Sequence, residues 1–188
     1  MGNPLRDRCL PSAMAEKSQV IEIYNKISDF ERLEAVVARD LSVLEADKLP
    51  QCWRESLVTG GLTFGYGGTH NSVPALEGNL AVTIDAVCQR CLEPFRLSLE
   101  TKLRVLLGAA GQSPGEHDGY EWWELVDHTV RPIDIVDEAL VMAMPLSAMH
   151  GTADGCLEIA SDAVDAVDAV ETVTPFAGLK MQLEDRGK

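Results

Sequence analysis

Two runs of strict alternation, separated by only a few residues, constrain this chain more than any other feature. Leu80, Val82, Ile84 and Ala86 fall on one face of an extended segment, and Thr83 and Asp85 fall on the other. After Cys88-Gln89-Arg90-Cys91 and Pro94, residues Phe95, Leu97, Leu99, Leu103, Val105 and Leu107 repeat the pattern against Arg96, Ser98, Glu100, Lys102 and Arg104. A parallel pair would need a long crossover, so two half-buried strands joined this closely form an antiparallel hairpin. That hairpin, residues 80 to 107, is the expected centre of the fold, with Cys88 and Cys91 at or near its turn.

The flanking sequence supplies partners for it. From Phe30 the positions Leu33, Val36, Val37, Leu41 and Leu44 recur at helical spacing, with Ser28 or Asp29 as N-cap and Leu49-Pro50 as the stop. Leu57 to Tyr66 has β-forming composition broken by Gly60 and Gly61, which predicts a bulged strand. Residues Gly65 to Ser72 and Gly108 to Gly119 read as loops. Tyr120 to Val126, with Trp122 and Trp123, predicts a further strand of the same sheet. Pro132 suits a first helical turn, and Ile133, Val136, Leu140, Ala143 and Met144 mark one face of a helix ending before Pro145. The expected class is α+β, an antiparallel sheet with a central long hairpin covered by two or three helices.

With 188 residues, one core is the expectation. Residues 1–19 form an N-terminal segment given no structure of its own, and 20–150 form one α+β domain. Residues 162 to 170 repeat Asp-Ala-Val three times, and Gly151 to Leu179 holds six acidic residues and no Lys or Arg. Residues 151–174 therefore read as an acidic, low-complexity disordered linker, and 175–188 as a tail carrying Pro175-Phe176-Ala177.

The net charge of −14 argues against a broad nucleic-acid-binding surface. No run approaches the length of a membrane span, and the first residues lack a secretory signal, so a cytoplasmic location is expected with no membrane partner. No catalytic triad or phosphate-binding glycine loop is present, and neither an enzyme nor a small-molecule substrate is expected.

Cys88 and Cys91 are spaced to share a metal ion. His150 and Cys156 would complete a zinc ligand set of three cysteines and one histidine if the segment after the second helix folds back over the hairpin turn. Reduced structural thiols and a redox pair are the alternatives, and the alternation that follows Pro94 removes the helix a thioredoxin-like pair would open. Arg90, Arg96, Lys102 and Arg104 make the hairpin the least acidic region, either as contacts for RNA or a partner or as the solvated face of a strand.

The order of these motifs resembles a bacterial family, the large ribosomal RNA subunit accumulation proteins (YceD-like). The resemblance rests on Gly78 to Phe95 with its Cys-Gln-Arg-Cys, on Asp134 to His150 with Cys156, and on Thr174 to Lys180. It implies a non-enzymatic role in synthesis, processing or stability of 23S large-subunit ribosomal RNA. The implied partners are the ribosomal RNA precursor, or a ribosomal protein or assembly intermediate. The Asp-Ala-Val repeat has no counterpart in the resemblance.

Overall fold

The computed structural model describes residues 3–68, 72–109, 119–151 and 156. The expected acidic linker 151–174 and tail 175–188 lie outside the described residues, apart from Gly151 and Cys156. So does most of the loop expected at 108–119. The fold described below belongs to the compact unit Met1–His150.

Five strands form one sheet in the order β1-β2-β3-β4-β5. These are β1 (Val20–Lys26), β2 (Leu57–Gly67), β3 (Val73–Val87), β4 (Pro94–Ala109) and β5 (Glu121–Leu125). The expected hairpin is present and longer than its alternation predicts, with β3 and β4 in continuous antiparallel register from Ala75↔Leu106 to Val87↔Pro94. Leu80, Val82 and Ile84 face the core together with Leu99, Leu103, Val105 and Leu107, as a period of two requires.

Three helices cover this apolar face or its margins: α1 (Pro11–Glu16), α2 (Glu31–Leu41) and α3 (Pro132–Ala143). Helix α2 buries Leu33, Val37 and Leu41, and α3 buries Ile135, Val136 and Leu140. The class is α+β, as the sequence predicts. Among the described residues no helix is long and apolar enough to cross a membrane.

Four departures from the sequence reading have physical causes. Strand β2 pairs with β3 without a bulge. Its Gly60 serves close approach instead, since a Cβ there would stand 2.2 Å from the backbone oxygen of Asn79. Strand β5 joins β4 in parallel, so the sheet is mixed; the stretch between Ala109 and Glu121 is long enough for a parallel return. The N-terminal segment is integrated into the body: Leu5 is buried, α1 forms, and Cys9 bridges Val130.

The fourth concerns the start of α2. Its N-cap position is Phe30, which has no side-chain cap, so neither Ser28 nor Asp29 serves. Asp29 accepts instead from Lys26 N–H and the Asn25 side chain. The first-turn N–H groups of Arg32 and Leu33 donate to Asp137 of α3 at 2.9 and 2.8 Å. A buried carboxylate from another helix therefore supplies the cap, and it also meets the positive end of the α2 dipole. Arg32 and Glu138 form an ion pair beside it.

Candidate functional site

The hairpin tip runs from Val87 to Pro94 and is shaped by individual hydrogen bonds. Cys88 N–H donates to Glu93 O at 3.0 Å, and Leu92 N–H donates back to Cys88 O at 2.8 Å, closing the turn. Leu92 adopts φ of 60°, the left-handed region that costs a side-chain-bearing residue about 1–2 kcal/mol. Gln89 N–H donates to Ala148 O at 2.9 Å, which ties the tip to the segment after α3. Lys48 pairs with Glu93 at 2.6 Å across the other side.

These bonds bring two cysteines and a histidine together. Cys91 Sγ lies 3.3 Å from His150 Nε2, and the ring of Phe95 meets the His150 ring edge-on at 5.3 Å. The ligand atoms of Cys88, Cys91 and His150 all lie within 4.8 Å of one another. Tetrahedral zinc with Zn–S of about 2.3 Å and Zn–N of about 2.0 Å spaces its ligand atoms roughly 3.5–3.8 Å apart, so thiol and imidazole here fit that ion in chemistry and in scale. Three of the residues that the sequence nominates, Cys88, Cys91 and His150, thus offer metal donors side by side. Cys88 and Cys156 are buried, and Cys91 is half-buried.

The basic residues of the hairpin are placed differently. Arg96, Lys102 and Arg104 lie on the face of the sheet opposite the core, where carboxylates interleave with them. Asp85 is the register partner of Arg96, and Glu77 is that of Arg104. Arg104 Nε is 3.7 Å from Glu77, and its guanidinium stacks 4.2 Å above the Tyr120 ring. Lys102 stands opposite neutral Asn79 and makes no ion pair among the described residues. Arg90 lies apart from this face, at the tip, where its Nη2 approaches Met149 Sδ at 3.8 Å. The four cations therefore form no continuous strip.

Sequence reasoning did not find the supports of the tip. Asp40, at the end of α2, accepts a hydrogen bond from Val87 N–H at 2.8 Å. Its one sequence signal is an acidic residue in the last turn of a helix, where the dipole disfavours negative charge. At the other end of β4, away from the tip, Trp122 is placed over Gly108, where a Cβ would fall 2.1 Å from the indole. The glycine leaves the room that this ring needs.

The family of the large ribosomal RNA subunit accumulation protein YceD matches residues 76–181, a span that begins in β3, contains the whole tip and α3, and covers more than half of the 188 residues. No curated protein and no solved structure matches the chain. Helices α1 and α2 and strands β1 and β2 precede the matched span. The chain belongs to the large ribosomal RNA subunit accumulation protein YceD family, which is described by its part in the accumulation of large-subunit ribosomal RNA and not by a catalysed reaction.

Proposed function

We propose that this chain is a non-enzymatic ribosome-biogenesis factor of the cytoplasm that sustains synthesis, processing or stability of 23S ribosomal RNA through a protein or ribonucleoprotein partner. Family membership across residues 76–181 carries this reading. The choice of partner is supported by charge: −14 overall, with carboxylates set between the cations of the hairpin. Bare RNA would meet Glu77, Asp85 and Glu100 wherever it met Arg104, Arg96 and Lys102.

In this reading Cys88, Cys91, His150 and Cys156 hold a structural zinc ion. The bound ion supplies a closed set of strong ligand bonds and a positive charge that keeps the thiols deprotonated. The protein positions its own ligands through the Gln89–Ala148 bond and through the Phe95 ring against His150.

Sucrose-gradient fractionation of growing cells tests the function. The protein is expected to co-migrate in part with large-subunit precursors, and its deletion to lower mature 23S RNA relative to 16S. A protein found wholly at the top of the gradient, with unchanged 23S levels on deletion, overturns the proposal.

A second reading, direct RNA binding through Arg90, Arg96, Lys102 and Arg104, is favoured by Lys102, which makes no ion pair among the described residues. It expects affinity for ribosomal RNA that falls steeply with salt and is lost on combined Arg90→Glu and Lys102→Glu substitution.

A further inference from the structure

The tip of the hairpin depends on a residue outside the matched family span. Asp40 belongs to α2, whose next residue, Leu41, is fully buried, so the end of the helix is a fixed post. Its Oδ2 accepts from Val87 N–H at 2.8 Å, and Val87 is the last residue of β3 and the neighbour of Cys88. The β2–β3 ladder ends at Thr59↔Ala81, six positions earlier, while Cys88 N–H is committed to Glu93 on the β4 side. Among the described residues no strand stands where Val87 N–H points, and the carboxylate takes the place of one. A bond to an ionised acceptor is stronger than the ladder bond it replaces.

Local rules disfavour Asp40 where it is. Aspartate is a weak helix former, and a negative charge in the last helical turn opposes the helix dipole. A residue that breaks local preference in this way marks a tertiary or functional constraint, and the bond to Val87 is that constraint.

We propose that Asp40 is a positioning residue for the metal centre: by fixing Val87 N–H it sets where Cys88 Sγ stands relative to Cys91 and His150. This rests on the zinc reading given above. Residues that orient metal ligands without touching the metal typically change affinity by about 10–100-fold when removed. Here the support comes from the N-terminal third of the chain, so the metal centre is a joint product of α2 and the matched span.

The test uses the full-length, metal-free chain titrated with Co2+, read through its thiolate charge-transfer and ligand-field bands, with Zn2+ affinity measured by chelator competition. Asp40→Ala is expected to bind both metals about 10–100-fold more weakly, with altered cobalt bands. Asp40→Asn, which keeps an acceptor oxygen, is expected to stay close to the wild type. Should Asp40→Ala not fold, Asp40→Ser, whose oxygen is too short to reach Val87, makes the same comparison. A purely structural Asp40 would lower the metal-free unfolding midpoint and leave affinity and spectrum unchanged, and that result overturns the inference alone. A wild-type chain that takes up neither metal overturns the zinc reading beneath it, and the inference with it.

Discussion

Along the body of the hairpin, Leu80, Val82, Ile84, Leu103 and Val105 are each no more than 5% exposed, with α2 and α3 packed against the strands. At the tip, Cys88 is buried, but Gln89 and Arg90 are exposed and Leu92 is 62% exposed. Burial of apolar area holds the body, and it is spread over many residues. Single directed bonds hold the tip: Asp40 to Val87, Gln89 to Ala148, Lys48 to Glu93, and the Cys91–His150 contact. Area tolerates small losses because no one contact dominates. The tip has no such reserve, so it can lose its geometry while the body stays folded.

Substitutions that separate the two regions follow in order of size. Ile84→Ala opens a cavity in the body and is expected to lower global stability by about 3–5 kcal/mol in denaturant unfolding. Asp137→Ala strips the cap from α2 and leaves the buried N–H of Leu33 and the part-buried N–H of Arg32 without acceptors. A loss of about 2–3 kcal/mol is expected, partly recovered in Asp137→Asn. Gly108→Ala forces the Trp122 ring off the sheet at the end of β4 remote from the tip. Its expected cost is about 1–2 kcal/mol, accompanied by a changed tryptophan emission.

At the tip, Glu93→Ala breaks the exposed pair with Lys48 and should change global stability by under about 1 kcal/mol, while amide exchange at residues 88–92 accelerates. Equal slowing or equal acceleration of exchange in body and tip would show that the two regions are one cooperative unit.

The last expectation concerns acid. Burial pushes the Asp29 carboxyl upward, but hydrogen bonds from the Asn25 side chain and the Lys26 N–H, with the Arg6 charge, outweigh it and hold the group below its ordinary value. A depressed carboxyl contributes stability that is fully present above its unfolded value near 4 and is lost as pH falls through the folded value. Acid unfolding of Asp29→Asn should therefore show a shallower stability loss below about pH 4 than the wild type. An identical profile would remove Asp29 from the account.

What could be read from the sequence follows the range of the interaction that sets it. The hairpin and α3 were legible because Val82, Ile84, Leu103, Leu140 and their neighbours repeat at fixed local periods. The alternation of Ile21 and Ile23 carries the same signal for β1, over too few positions to stand out beside Glu22 and Tyr24. The metal-ligating residue types could be nominated from Cys88-x-x-Cys91, His150 and Cys156, since that chemistry belongs to few side chains. Asp40 and Asp137 could not, because each acts on a backbone N–H far along the chain, and nothing in an acidic residue's neighbours announces that distant target. The basic face was legible as a set of cations, but the carboxylates placed among them were not, because Asp85 and Glu77 come to stand opposite Arg96 and Arg104 only through strand register.

The bridge between Cys9 and Val130 has a consequence in the order of folding. The hairpin closes across the six residues between Val87 and Pro94, whereas that bridge joins residues 121 positions apart. Loop-closure entropy rises with the length enclosed, and contacts near in sequence form ahead of distant ones. The hairpin therefore closes at a smaller entropic cost than the bridge between Cys9 and Val130. Cys9 is made long before Val130, so this one contact can close only after all five strands have been synthesised.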